Sequence, residues 1–385
     1  MRILTTTEEL AAFCDRARAA PYVTVDTEFL RERTYYSRLC LLQMAIPGES
    51  DDSAVLVDTL AEGLSLEPLY GLFREESTVK VFHAARQDLE IFYVDAGVIP
   101  APLFDTQVAA MVCGFGEQVG YETLVKKIAK HTLDKSSRFT DWSRRPLSEA
   151  QMTYALADVT HLRQIYEYLA AELARTGRTH WLEEELSSLT NAEAYVVDPG
   201  EAWKRLKLRT NSGKTLAIAR ELAAFRETYA QTKNVPRNRV IKDDALMELA
   251  STKPKSVADL AKSRLLLRDA RKGDIAEGLV AAVRRGQEMP ADQHPRPEQG
   301  RDRSEMNAAL ADLLRVLLKA KAEEAGVAAK LIASSSDLDD IACGAHDGIW
   351  ATGWRREVFG EDALRLLRGE VALSAEGEKV KIVPV

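Results

Sequence analysis

The sequence predicts a multidomain protein: a mixed α/β domain over residues 1–200, then two all-helical bundles over 201–290 and 291–385. Three observations carry this reading. Short β-branched runs alternate with amphipathic stretches through residues 1–175, the pattern of a sheet flanked by helices. Strand signals nearly vanish beyond residue 200, where helical periodicity takes over. A stretch rich in Pro, Gln, Asp and Arg, residues 288–303, reads as a linker between the helical parts. A chain of 385 residues also exceeds one ordinary core.

Taken in order, a helix over 8–19 precedes the run Tyr22-Val23-Thr24-Val25-Asp26, read as a strand. A second strand, 39–46, closes at the turn signal Pro47-Gly48. Residues 54–58 and 79–82 are short strands. Helices are expected at 67–75, 86–96, 106–113, 121–129 and 148–176. In the second part, the helix 215–233 puts Leu216, Ala219, Leu222, Ala223 and Phe225 on or near one side. Shorter helices follow at 243–250, 257–261 and 275–285. Residues 304–370 are helical again, with a terminal hairpin over 371–385.

No run approaches the roughly 20 apolar residues of a membrane helix, and the start, MRILTTTEEL, has no apolar region of a secretory signal. Cys14, Cys40, Cys113 and Cys343 form no CxxC pair, which suggests neither a zinc site nor a disulfide framework. A reducing cytoplasm is the expected setting. The net charge of -7 is unevenly spread: -12 over residues 1–200, +9 over 201–290 and -4 over 291–385. A basic middle segment beside an acidic domain suits a nucleic-acid grip, and equally a solvated helical surface. The absence of a GxxxxGK[ST] loop excludes a helicase motor.

Four carboxylates stand in contexts that make sense together. Asp26 and Glu28 end the first strand, and period two points both to one face. Asp88 lies in the first turns of a helix that follows a strand, where the helix dipole alone also favours an acid. His83 at the strand end is a ligand or a hydrogen-bonded structural residue. Tyr154 and Asp158 sit four residues apart and share a helix face, with Ala155 and Ala157 leaving room beside them. Each signal is weak alone. Hard carboxylate oxygens together suit Mg²⁺ or Mn²⁺, and two such ions about 4 Å apart can clamp both oxygens of a phosphodiester displacement. A phenol with a pKa of about 10 is a poor base at neutral pH, so Tyr154 is assigned to orient the attacking water.

The motifs Val25-Asp26-Thr27-Glu28-Phe29, His83 to Phe92 (HAARQDLEIF) and Tyr154 to Val159 (YALADV) resemble the three exonuclease motifs of the DEDD superfamily, in the subgroup with tyrosine in the third motif. Arg33-Thr34-Tyr35-Tyr36, Phe104-Asp105-Thr106-Gln107, the stretch from Gly120 to Val125 and that from Asp141 to Leu147 resemble the ribonuclease D family in particular, over residues 1–175. The resemblance implies a ribonuclease-H-like fold with metal ligands at Asp26, Glu28, Asp88 and Asp158. Phe225-Arg226-Glu227 and the stretch from Asn234 to Leu246 resemble the helical nucleic-acid-binding module called HRDC. The family carries a second such module, a place that residues 304–385 would fill.

The expected function is therefore 3′→5′ exonucleolytic hydrolysis of RNA with a free 3′ end, releasing nucleoside 5′-monophosphates. The family resemblance points to precursors of transfer RNA and other small structured RNAs, and action as a monomer is expected. Backbone groups of Thr27 and Phe29 are candidates to sense the 3′-hydroxyl, and the Phe29 ring either stacks on a terminal base or belongs to the core. Lys233, Arg237, Arg239 and Lys242, clustered around the Asn234-Val235-Pro236 turn, are candidate phosphate contacts, with Lys126, Lys127, Arg138 and Arg144 as weaker ones. A DNA exonuclease of the same superfamily shares the metal chemistry. A catalytically dead RNA-binding scaffold is disfavoured, because all four acids and the tyrosine are present.

Overall fold

Alternation of Val23 and Val25 with Thr24 and Asp26 fixes a strand with one apolar face, and the fold is built outward from it. In the computed structural model the first domain runs β1 (Ile3–Leu4), α1 (Thr7–Arg18), β2 (Tyr22–Leu30), β3 (Arg38–Ala45), β4 (Ala54–Val57), α2 (Glu67–Phe73), β5 (Val79–Phe82), α3 (Arg86–Ala96), β6 (Leu103–Asp105), α4 (Thr106–Val112), α5 (Tyr121–Leu124), α6 (Glu149–Thr176) and α7 (Thr179–Thr190). The structure describes residues 2–50, 52–134, 137, 140–207, 210–296 and 307–385. Arg138 and residues 297–303 of the expected linker lie outside the described residues.

Six strands pair in the order β1-β4-β3-β2-β5-β6. β2, β3 and β4 are antiparallel neighbours, while β1, β5 and β6 join in parallel. Val23 and Val25 pack with Leu42, Met44, Val55 and Val57 in the main core. On the other face Leu41 and Leu56 meet Trp142 and Ala155, where α6 crosses the sheet. A Ser148 capping box starts α6: Ser148 Oγ accepts from Gln151 N at 3.2 Å, and Ser148 N donates to Gln151 Oε1 at 3.0 Å. The expected helix over 121–129 is observed as α5 prolonged by a π-helical turn, Val125–Ala129. Strands β1 and β6 and helix α7 go beyond the sequence expectation; the two strands are too short for a periodicity signal.

The second unit holds α8 (Gly213–Lys233), α9 (Arg237–Val240), α10 (Asp243–Thr252) and α11 (Gly273–Glu288). Helices α8 and α11 approach so closely that a Cβ on Gly286 would lie 2.5 Å from Ile218 Cα. The expected helix at 257–261 is a 3₁₀ segment, Val257–Lys262. Ala202, Trp203 and Leu206 join this core, and so does Tyr35 from the β2–β3 loop of the first domain.

The third unit holds α12 (Ala308–Ala325), α13 (Ala329–Ile332), α14 (Ser335–Ala342), α15 (Gly353–Arg355) and α16 (Glu361–Leu367), then a hairpin of β7 (Val371–Glu376) and β8 (Lys379–Pro384). The spacing from α12 through α14 repeats that from α8 through α10. Each long helix ends in a left-handed residue, Asn234 or Gly326, and a four-residue helix begins three residues later. This unit docks on α7: the Trp181 and Trp354 rings stack with centroids 4.5 Å apart, and Arg355 pairs with Glu185 at 2.5 Å. No helix is long and apolar enough to cross a membrane among the described residues.

Candidate active site

Because β2 alternates, Asp26 and Glu28 share the face that α6 crosses, with Gln43 and Leu41 as cross-strand partners. Two hydrogen bonds hold α6 in register there. Thr24 Oγ1 donates to Val159 O at 2.8 Å, and the Tyr121 hydroxyl donates to Asp158 O at 2.7 Å. The result is a triplet: Asp26, Glu28 and Asp158 each bring a carboxylate oxygen within 4.8 Å of the others. The Tyr154 ring, one turn earlier on α6, lies 6.1 Å from the buried Trp142 ring.

Asp88 stays outside this triplet. Thr27, between the two β2 acids, projects to the opposite face, where its hydroxyl donates to the Asp88 carboxylate. Asp88 is nonetheless within electrostatic reach of Asp26. Burial raises its pKa well above the usual carboxylate range, and the charge of Asp26 raises it further. Burial likewise pushes Asp26 up to about 6, against the pull of the Thr27 backbone N–H. The charged groups that set Asp88 are Asp26 and Asp105, both of like sign. An all-oxygen donor set whose members repel one another is the chemistry that a hard divalent cation satisfies. The residues therefore fit such an ion.

Two residues to which the sequence alone assigns no role position this site. Asp105 accepts from Ala84 N at 3.1 Å and Ala85 N at 2.8 Å, and also caps α4 through Gln107 N. It thereby fixes the turn that launches α3 and Asp88, in which Ala84 adopts φ +57°. Tyr121 is the other, through its bond to the backbone of α6. His83 takes the structural option: its Nδ1 lies 3.0 Å from Thr106 Oγ1, and burial lowers its pKa.

The remaining candidates divide. Thr27 is buried and Phe29 is half-buried against the main core. Lys126, Lys127 and Arg144 are exposed, Arg144 beside Asp141 at 3.4 Å. Lys233, Arg239 and Lys242 are exposed on the helical unit. Arg237 is not the free surface cation that its sequence context suggests. Its Nε and Nη2 donate to the Glu227 carboxylate at 2.5 and 2.6 Å, and its guanidinium lies 4.7 Å from the centroid of the Tyr35 ring. A carboxylate only 1% exposed demands that cation, so Arg237, expected as a phosphate contact, is held in an ion pair within the protein.

Residues 1–174 match the 3′-5′ exonuclease family, and residues 215–282 match the HRDC domain family. The ribonuclease D of Jannaschia sp. (strain CCS1) is 77% identical over 382 residues, which cover 99% of each chain. The chain belongs to the ribonuclease D family. A ribonuclease D of Granulibacter bethesdensis is 47% identical, covering 99% of this chain and 96% of that protein. The crystal structure of Escherichia coli RNase D, described as an exoribonuclease involved in structured RNA processing, superposes with a TM-score of 0.81. It is 30% identical and covers 95% of this chain and 98% of that one. Membership in the ribonuclease D family makes this chain a 3′-5′ exoribonuclease, with an exonuclease domain, an HRDC domain and a helical C-terminal region.

Proposed function

We propose that this exoribonuclease is metal-dependent, uses two Mg²⁺ or Mn²⁺ ions and releases nucleoside 5′-monophosphates. The observation that carries this reading is the convergence of Asp26, Glu28 and Asp158 within 4.8 Å. These three, with Asp88 behind them, would hold the ions. Bound there, divalent cations supply an acidified water and neutralise charge on the scissile phosphate. The chain's own groups do the positioning. The Tyr154 hydroxyl orients the attacking water, Tyr121 and Thr24 fix α6 beneath Asp158, and Thr27 and Phe29 backbone groups face the 3′ end. Lys233, Arg239 and Lys242 take backbone phosphates.

The substrates proposed are precursors of transfer RNA and other structured RNAs, in line with the structured-RNA role of the E. coli protein. The repeated helix order in residues 308–342 supports reading the last unit as a diverged second HRDC module. A cytoplasmic monomer is proposed for the working form.

A time course on 3′- and 5′-labelled RNA tests the reading. Stepwise shortening from the 3′ end with Mg²⁺ or Mn²⁺, monophosphate product and none in EDTA are expected. Full activity after metal stripping, or equal cutting of circular RNA, would overturn it. Matched DNA in the same assay tests the rival substrate, since the metal chemistry does not require a 2′-hydroxyl.

A further inference from the structure

The β2–β3 loop, residues 31–37, directly continues the strand that carries Asp26 and Glu28. Both of its ends are tied to other elements. At its start, Arg31 makes a two-pronged ion pair with Glu90 at 2.7 and 3.0 Å, two residues beyond Asp88 on α3. At its far end, Tyr35 leaves its own domain. It is 7% exposed and belongs to the core of the helical unit, together with Trp203 and Ala230. The Tyr35 hydroxyl donates to Glu227 and accepts from Arg237 Nη2 at 2.7 Å. Gln231 Nε2 adds a weaker hydrogen bond at 3.3 Å. The backbone is gripped as well: Asn234 Oδ1 accepts from Tyr35 N at 3.1 Å and from Tyr36 N at 3.0 Å. Asn234 can do this because it ends α8 in the left-handed conformation, φ 49°.

We propose that the HRDC unit is a positioning part of the catalytic site: through Asn234, Glu227 and Arg237 it clasps Tyr35 and Tyr36, and so fixes the end of the strand bearing Asp26 and Glu28. The β2–β3 pairing shifts register between Glu28 and Phe29, so the ladder is interrupted next to a metal-ligating residue. Beyond that shift only Phe29 and Leu30 still pair, with Leu39 and Arg38, and the loop that follows is held by α3 on one side and the helical unit on the other. A loosened loop would let Glu28 drift relative to Asp158, and misplacement of about 1 Å can cost up to about 10²-fold in rate. The inference rests on the metal reading of the β2 acids. It differs from a tethered grip, which would act on RNA affinity alone.

The test uses the full chain and a trinucleotide RNA. Tyr35→Phe removes the hydroxyl and keeps the ring. Asn234→Gly keeps the left-handed conformation and removes the acceptor. Asn234→Asp restores an acceptor. Expected are a fall in kcat of about tenfold for the first two, KM within about twofold, and near wild-type kcat for Asn234→Asp. Amide exchange, read without metal or substrate, should rise at 31–37 and extend into 26–30 in the first two variants. That readout is independent of catalysis, so it separates failure of the clasp from failure of the metal reading. A kcat within about twofold of wild type in folded Tyr35→Phe and Asn234→Gly, or exchange unchanged at 26–30, overturns the proposal.

Discussion

Thr27 donates its hydroxyl hydrogen bond to the carboxylate of Asp88, and this one bond joins the first and second acidic motifs. Thr27 lies between Asp26 and Glu28 but points to the opposite face of β2. The same strand therefore addresses α6 through its acids and Thr24, and α3 through Thr27. The acids are set by a frame of buried bonds rather than by flexible loops, which is what a site needing close mutual geometry requires.

Removing an acid should separate chemistry from folding. Asp26→Asn or Asp158→Asn is expected to abolish cleavage, because a ligand is lost, while RNA affinity stays near wild type. Thermal stability without metal should be unchanged or higher, since one repelling charge is gone. Cleavage assays, filter binding and melting curves in EDTA check this; a cleaving Asp26→Asn protein would remove Asp26 from the metal set.

Tyr154 is expected to act in the chemical step. Tyr154→Phe keeps the ring beside Trp142 and should lower kcat by about 10²-fold with little change in KM. Single-turnover kinetics separate this from a binding defect. An unchanged kcat would leave Tyr154 a packing residue.

The basic face and the Arg237 pair should respond differently. Replacing Lys233, Arg239 and Lys242 together by Gln should weaken RNA binding. It should also flatten the slope of log K against log salt by roughly 0.7 to 0.9 for each phosphate that is no longer neutralised. Arg237→Gln should instead destabilise the fold, because Glu227 would be left buried and unpaired, at about 3–5 kcal/mol. Salt-dependent binding isotherms and chemical denaturation distinguish the two. Equal salt slopes for the triple variant and wild type would remove these cations from the RNA path.

The clasp should also be pH-sensitive in a defined direction. Burial raises the Glu227 pKa, but the hydrogen bonds from Arg237 and Tyr35 outweigh it, and the net result is a carboxyl below its usual range. A depressed folded pKa means that its stabilisation is fully present above the unfolded value of about 4.3 and is lost as pH falls through the folded pKa. Melting temperatures should therefore drop below about pH 4 more steeply in wild type than in Glu227→Gln. Parallel curves would show that Glu227 contributes nothing to acid stability.

Docking of the last unit should depend on the Arg355–Glu185 pair, whose side chains are 9% and 10% exposed. Arg355→Met alone leaves Glu185 buried without its cation and should cost about 3–5 kcal/mol, whereas adding Glu185→Leu should recover most of it. Limited proteolysis reports undocking. No rescue in the double variant would place the defect in the other hydrogen bonds of the pair, from Arg355 to the Leu331 backbone and from Trp354 to Glu185.

Local chemistry made much of this protein legible from sequence. Residues 86–96 and 79–82 could be bounded to the residue, because an apolar strand and a helix closed by Gly97 announce themselves over a few neighbours. Period-two and i, i+4 geometry likewise put Asp26 with Glu28 and Tyr154 with Asp158 on shared faces. What the tertiary structure alone decided are relations between segments distant in the chain. Asp88 turns to Thr27 rather than joining the triplet, and Asp105 holds the turn before it. Arg237 reads as an RNA contact in sequence because it clusters with Lys233, Arg239 and Lys242 around the Asn234-Val235-Pro236 turn. Its partners are Glu227, ten residues back, and Tyr35, about two hundred residues away in another domain. A charge's role depends on which buried group it must neutralise, and a one-dimensional pattern carries no information about burial between domains.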